Sequence, residues 1–139
     1  MKKLLWYVLA VIGLACTACG NSNNLYPVFG TVTYRGTPAA GATVFLRRHG
    51  ADPMNEHAIM GIVGEDGSFK LVCGSLGNGA PPGEYDVLIE WKRDQKQAKG
   101  LAHKARDRLK GRYADPQRPR LQAVVKAEAN HLPPFELTD

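Results

Sequence analysis

One polar stretch of the sequence contains several side chains of the kind that bind metal ions. Imidazole nitrogens and carboxylate oxygens, which zinc accepts as ligands, are offered there by His49, Asp52, Glu56 and His57. Their spacing matches no zinc pattern, and Pro53 indicates a loop. The turn Glu65–Gly67 has too few oxygens for a calcium loop, which needs them at several alternating positions. We therefore predict no metal site and no cofactor.

The sequence also has no arrangement typical of nucleophilic catalysis. Cys73 is the one cysteine beyond residue 19, so it has no internal disulfide partner. No histidine near it in sequence offers a base, and no Gly-x-Ser-x-Gly elbow occurs. Alternation places Cys73 on one strand face with Phe69 and Leu71, where a small apolar residue packs well. We predict a buried thiol and no enzymatic activity.

A strongly basic segment is the most unusual feature of the chain. Residues 92–120 contain 11 Lys and Arg and 3 Asp, a local excess of +8. Such a charge suits an anionic glycan, a lipid headgroup or an acidic envelope protein. The alternative is a solvated loop without a ligand. The residues predicted to contact an anionic partner are Lys104, Arg106, Arg108, Lys110 and Arg112.

The N-terminus has the three parts of an export signal. Lys2 and Lys3 precede an apolar run, Leu4–Leu14, that is too short to span a membrane. Small residues then lead into cysteine, in a pattern that resembles the lipobox of bacterial lipoproteins. The resemblance implies a signal peptide over residues 1–18 and a lipid on Cys19, with Cys16 as the alternative. Residues 19–27 would form the lipidated cysteine and a polar tether.

This N-terminus implies a place in the cell as well as an anchor. Acyl chains on Cys19 would hold the protein in the bacterial envelope, on a periplasmic or surface face, and two or more chains anchor stably. Gly20, rather than Asp, follows Cys19 and favours the outer membrane. Export makes nucleic acid an unsuitable partner. Without Lys2 and Lys3 the net charge falls from +5 to +3.

The rest of the chain, residues 28–139, has the pattern of an all-β domain. Short β-branched and aromatic runs alternate with Gly, Pro and Asp turns. The segment Lys92–Lys110 predicts a long loop, with a short helix as the alternative. Ala129–His131 predicts a turn. The seven predicted strands are Val28–Tyr34, Ala42–Arg47, His57–Val63, Ser68–Cys73, Glu84–Trp91, Leu121–Lys126 and Pro134–Leu137.

Several motifs in this order resemble carboxypeptidase regulatory-like domains. Val32–Val44 is similar to the opening hairpin of that family, Gly64–Phe69 to its acidic turn, and Pro82–Val87 to its Pro-Gly-x-Tyr-x-Val strand. The tail, with Arg112–Pro116, Leu121, Val124, Asn130 and Phe135–Leu137, resembles a group of small lipoproteins. The resemblance implies a single seven-stranded Greek-key β-sandwich of the transthyretin-like fold.

These observations lead to one functional expectation and two alternatives. We expect a non-enzymatic envelope lipoprotein whose sandwich is a binding or structural module. A carbohydrate-binding accessory protein is the first alternative, and it requires exposed aromatic rings, for which Trp91 and Tyr113 are the candidates. A transthyretin-fold hydrolase is the second. Its terminal Tyr-Arg-Gly-Ser motif has a counterpart only in the first hairpin, at Tyr34–Thr37, so its catalytic roles do not transfer.

Overall fold

The computed structural model describes residues 24–52, 57–92 and 107–139. In these ranges the chain forms strands connected by turns. None of the described residues belongs to a helix long and apolar enough to cross a membrane. The strands are β1 (Val28–Tyr34), β2 (Thr37–Pro38), β3 (Thr43–Arg48), β4 (Ile59–Ile62), β5 (Ser68–Lys70), β6 (Val72–Cys73), β7 (Gly77–Asn78), β8 (Gly83–Glu90), β9 (Leu121–Val125), β10 (Asn130–His131) and β11 (Phe135–Leu137).

The strands form two sheets that enclose one apolar core. The first sheet has five strands: β1 is central, β10 and β11 pair with it in parallel, and β2 and β5 pair with it antiparallel. The second sheet has six strands in the order β7-β6-β4-β3-β8-β9. All its described pairings are antiparallel. The result is the all-β, sandwich-like arrangement that the sequence predicts.

Alternation of apolar residues determines which strand faces line the core. Val44 and Leu46 of β3 are buried, while their neighbours are partly exposed. The predicted face of Phe69, Leu71 and Cys73 is confirmed, because all three are buried. Alternate residues along β8 and just after it, Tyr85, Val87, Ile89 and Trp91, are buried as well. Because successive side chains of a strand point to opposite faces, this pattern fixes each strand's orientation.

The strand count differs from the predicted seven. Eleven strands occur in the described residues, and four of them have only two residues. The predicted strand Ser68–Cys73 is two strands, because β5 pairs with β1 in the first sheet and β6 pairs with β4 in the second. Leu71 lies at the crossing between the sheets and is fully buried. Alternation continues across this crossing, which makes it invisible in the sequence.

The prediction of a simple turn at Ala129–His131 is wrong. Asn130 and His131 form β10, and the Asn130 N–H donates to the Pro27 carbonyl at 2.8 Å. Leu132 continues the pairing by donating to Phe29 at 2.8 Å. A parallel pairing between residues about a hundred positions apart leaves no local signal in the sequence.

The first hairpin has the turn that its sequence favours. Arg35 and Gly36 both take positive φ, 50° and 80°, which is the conformation of a tight hairpin turn. The Tyr34 hydroxyl and the Arg35 guanidinium both contact the carboxylate of Asp139. The Tyr34–Thr37 motif therefore has a structural explanation as a turn joined to the end of the described chain.

Candidate functional site

A cleft of about 510 Å³ lies where the basic segment re-enters the described structure. It carries four basic side chains and one acid, so its lining has a net charge of +3. The lining residues are Lys110, Gly111, Arg112, Asp115, Arg118, Pro119 and Arg120. We call this feature the basic cleft. Concentrated charge of one sign in a concave surface attracts anions more strongly than the same charges dispersed over a flat surface.

Asp107 holds the turn that begins the basic cleft. One carboxylate oxygen accepts hydrogen bonds from the backbone N–H groups of Trp91 at 2.8 Å and Leu109 at 3.1 Å. The other accepts the N–H of Gly111 at 2.8 Å. The Arg108 N–H also donates to the Trp91 carbonyl at 2.7 Å. These bonds join the two ends of the segment 93–106, which lies outside the described residues.

The turn has a left-handed backbone conformation at two consecutive residues. Lys110 and Gly111 have φ values of 53° and 76°. Positive φ is strained for a side-chain-bearing residue such as Lys110, and the Asp107 bonds on either side of it hold that conformation. Lys110 is exposed and lines the cleft.

Asp115 forms the opposite side of the basic cleft and is itself neutralised. The backbone N–H of Gln117 donates to it at 2.9 Å, and Arg118 pairs with it at 3.2 Å. The hydrogen bond from Gln117 lowers the pKa of Asp115 below its ordinary value, and the Arg118 charge lowers it further. Burial acts in the opposite direction but does not outweigh them. The carboxylate thus stays ionised near neutral pH and keeps Arg118 occupied.

The remaining bases of the basic cleft are available for a ligand. The side chains of Lys110 and Arg120 form no hydrogen bond or ion pair within the described ranges. Arg112 lies beside the Tyr113 hydroxyl. Burial raises the pKa of Tyr113, but hydrogen bonds with Thr138 and the positive charge of Arg112 outweigh burial, so the pKa of Tyr113 is lower than its ordinary value. The basic cleft therefore presents two unpaired cations and one partly engaged guanidinium.

The predicted contact residues divide into three groups. Lys110 and Arg112 line the basic cleft. Arg108 is exposed but packs over the Trp91 ring at 4.5 Å, outside the cleft lining. Lys104 and Arg106 lie outside the described residues, as do Cys16 and Cys19. The prediction missed Arg118 and Arg120, although their position on either side of Pro119 in the same basic segment was a usable signal.

Trp91 and Tyr113 do not provide the exposed aromatic rings that the carbohydrate-binding alternative requires. Their exposed fractions are only 9% and 8%. The Trp91 indole N–H donates to the Ala40 carbonyl at 2.9 Å, and the Tyr113 hydroxyl exchanges hydrogen bonds with the backbone of Thr138. Both rings are therefore structural, and neither presents a face on which a sugar could stack.

The residues considered for metal binding do not come together in the described structure. His49 instead contacts Asp86, with Nδ1 3.1 Å from one carboxylate oxygen. Asp86 is buried and His49 is mostly exposed. No group of three His, Cys, Asp or Glu side chains meets within the described ranges, and Glu56 lies outside them. Cys73 is buried, as predicted, and burial raises the pKa of its thiol.

Comparisons with known proteins give little further information. No family model matches the chain, and no curated protein matches it either. Among solved structures, a DUF3823 family protein from Parabacteroides merdae is similar at 18% identity and a TM-score of 0.39. The match covers 81% of this chain and 44% of that one. The resemblance to carboxypeptidase regulatory-like domains thus gains no support here and stays a prediction from the motifs.

Proposed function

We propose that this chain is a non-enzymatic lipoprotein of the bacterial envelope that binds an anionic envelope component through its basic cleft. One observation carries the proposal: four basic side chains line a single cleft, and only one of them, Arg118, has an acidic partner in the described ranges. Clustered cations that repel one another without neutralisation are costly, so an anionic ligand would stabilise this arrangement.

The N-terminal sequence supports the envelope location. A lipid on Cys19 would hold the domain at the membrane, with the outer membrane favoured by Gly20. The motifs favour a transthyretin-like, Greek-key version of the observed β-sandwich. A carboxypeptidase regulatory-like domain of this kind is a scaffold whose loops contact partners, and the basic cleft is formed by such a loop.

The anion-binding part is tested by a pair of charge-matched double variants. The purified full chain, kept in detergent, is applied to immobilised heparin as a polyanion probe and eluted with salt. Lys110→Ala/Arg120→Ala removes two bases from the basic cleft, and Arg47→Ala/Lys70→Ala removes two elsewhere. We expect the first variant to elute at clearly lower salt than the second, because salt competes with each lost contact.

Equal elution of the two double variants would contradict the proposal, because retention would then depend on overall charge alone. The anchor is tested separately by the intact mass of the protein from bacterial membranes. We expect a mature chain that begins at Cys19 and carries acyl groups, lost in Cys19→Ala and retained in Cys16→Ala. An unacylated, soluble product would exclude the lipoprotein.

A further inference from the structure

The outer side of β9 is an open sheet edge. β8 pairs with β9 on one side, and no residue of the described ranges pairs with it on the other. An unpaired edge presents backbone donors and acceptors in the spacing that another strand requires. Recognition by strand addition uses such edges, with the main chain providing affinity.

The hydrogen-bonding pattern shows which groups of β9 point outward. The Ile89 N–H of β8 donates toward the β9 side, to the Tyr113 carbonyl at 2.9 Å, so alternate residues of β8 face β9. The register pairs Ala123 of β9 with Tyr85, which is one of these alternate residues of β8. Gln122 and Val124 therefore direct their N–H and C=O groups away from the sheet, and neither residue has another partner in the described ranges.

The next residue of that outward series is already occupied. Lys126 donates its backbone N–H to the Asn130 side chain at 2.8 Å and accepts a bond from it at 3.1 Å. Asn130 therefore ends the open edge at one side. Two residues with four unpaired backbone groups remain, enough to pair with a short extended segment.

This edge lacks the features that protect other edges of the fold. β7 is only two residues long. The chain after β10 contains Pro133 and Pro134, which have no N–H to donate. β9 has five residues without proline, glycine or charge, and the Val124 side chain is 56% exposed. Proteins commonly blunt such edges, so an unprotected one indicates a use.

A groove beside β9 provides room for another chain. Its volume is about 430 Å³, and it lies between β9 and the segment that follows it. The lining includes Gln122, Val124, Lys126, His131 and Pro133, and Glu128 is its one acidic residue. One wall of the groove is the open edge of β9, and the other is the proline-containing segment after β10. An extended chain in the groove would therefore pair with β9.

Charges at the ends of β9 favour one kind of occupant. Arg120 precedes the strand and Lys126 follows it. If two copies of this chain paired antiparallel about Ala123, Arg120 of each would lie opposite Lys126 of the other. Like charges directly opposite one another destabilise a strand pair. An acidic segment would place opposite charges there instead.

We propose that β9 binds an extended segment of an envelope protein as an additional strand, with acidic residues at both ends of the segment facing Arg120 and Lys126. The partner's envelope origin and negative charge rest on the proposed function, because Arg120 also lines the basic cleft. Backbone pairing with Gln122 and Val124 supplies the alignment, and the terminal charges select the partner.

The test uses the full chain in detergent with capped peptides as probes. The first peptide has a Thr–Val alternating core of five residues between two Asp residues, and the second has Lys in place of Asp. We expect the Asp-ended peptide to bind at least about tenfold more tightly and to slow amide exchange at Gln122 and Val124.

Backbone pairing is tested from both sides of the contact. Val124→Pro removes an outward N–H without removing a bond to β8, and proline is tolerated at such edge positions. Val124→Thr is the matched control. We expect the proline variant to lose peptide binding and the threonine variant to keep it. The second test leaves the protein unchanged and uses an Asp-ended peptide that is N-methylated at the backbone nitrogens that would donate to β9. We expect this peptide not to bind.

Several results would overturn the proposal. If the N-methylated peptide bound as tightly as the unmodified one, strand addition would be excluded. If the Lys-ended peptide bound as tightly as the Asp-ended one, charge selection would be excluded. Absence of binding by the Asp-ended peptide would exclude both. Dimers abolished by Val124→Pro would assign the edge to a second copy. The heparin assay separates the two proposals: Val124→Pro keeps all cleft bases, so its retention should be unchanged even where peptide binding fails.

Discussion

Replacing Asn130 tests how the β9–β10 connection is held. This buried side chain accepts the Lys126 N–H at 2.8 Å and donates to the carbonyls of Lys126 at 3.1 Å and Glu128 at 2.6 Å. Asn130→Ala removes these three bonds, besides a longer contact with the Pro27 carbonyl at 3.5 Å, and leaves their backbone partners without replacement in a partly buried site. At about 1 kcal/mol for each bond, we expect a loss of about 3 kcal/mol.

A second substitution at the same position adds a pH signature. Asn130→Asp keeps the shape but places a carboxylate oxygen against the carbonyls of Lys126 and Glu128, where the amide nitrogen lies in the native protein. The ionised form is destabilised, so the folded-state pKa of this Asp rises above its unfolded value of about 3.9. Stability is therefore greatest below that pH and falls as the pH rises through the folded pKa.

Urea unfolding of the full chain in detergent measures both variants, with Glu136→Ala as an exposed control. Thermal unfolding gives a second readout: for a domain of this size, a loss of 3 kcal/mol corresponds to a decrease of about 12 °C in melting temperature. We expect the Asp variant to be the least stable at pH 7 and to recover relative to the Ala variant near pH 3. A loss below about 1 kcal/mol for Asn130→Ala, or an Asp variant without pH dependence, would refute the reasoning.

Two further predictions concern other buried or closing contacts. Asp107→Ala removes three accepted bonds, and we expect a loss of about 3 kcal/mol by urea unfolding at about 1 kcal/mol for each bond, with faster amide exchange at Arg108; unchanged exchange would contradict its role in closing the 93–106 segment. Because burial raises the pKa of Cys73 above its ordinary value of 9.0, maleimide labelling at pH 8 should be on the order of a hundredfold slower in native than in unfolded protein. The same shift means that the thiol's contribution to stability is complete below its ordinary pKa of 9.0 and declines at higher pH.

Local patterns in the sequence predict the individual strands well. Alternation identifies the buried faces of β3, β5 and β8, and the Asp66-Gly67 and Pro82-Gly83 pairs mark turns. These features depend on neighbours within a few residues, where sequence and structure are directly related. The fold class follows from them, because short alternating strands must pack two faces together.

Long-range pairing is the part that the sequence does not predict. The parallel contacts of β10 and β11 with β1, and the crossing at Leu71, depend on residues far apart in the chain. The burial of Trp91 depends on Ala40, about fifty positions away. At the basic cleft, charge alone indicates the segment, but the turn held by Asp107 determines which of its bases converge.

The parallel pairing of β1 with β11 determines how the domain responds to mechanical force. If the N-terminal end is held and the C-terminal end is pulled, the two strands are drawn in opposite directions along their common axis. The contacts between Val32–Tyr34 and Phe135–Leu137 are then loaded in shear and bear the force at the same time, instead of breaking one after another. A domain held at its N-terminal end would therefore resist a pull on its C-terminal end chiefly through this strand pair.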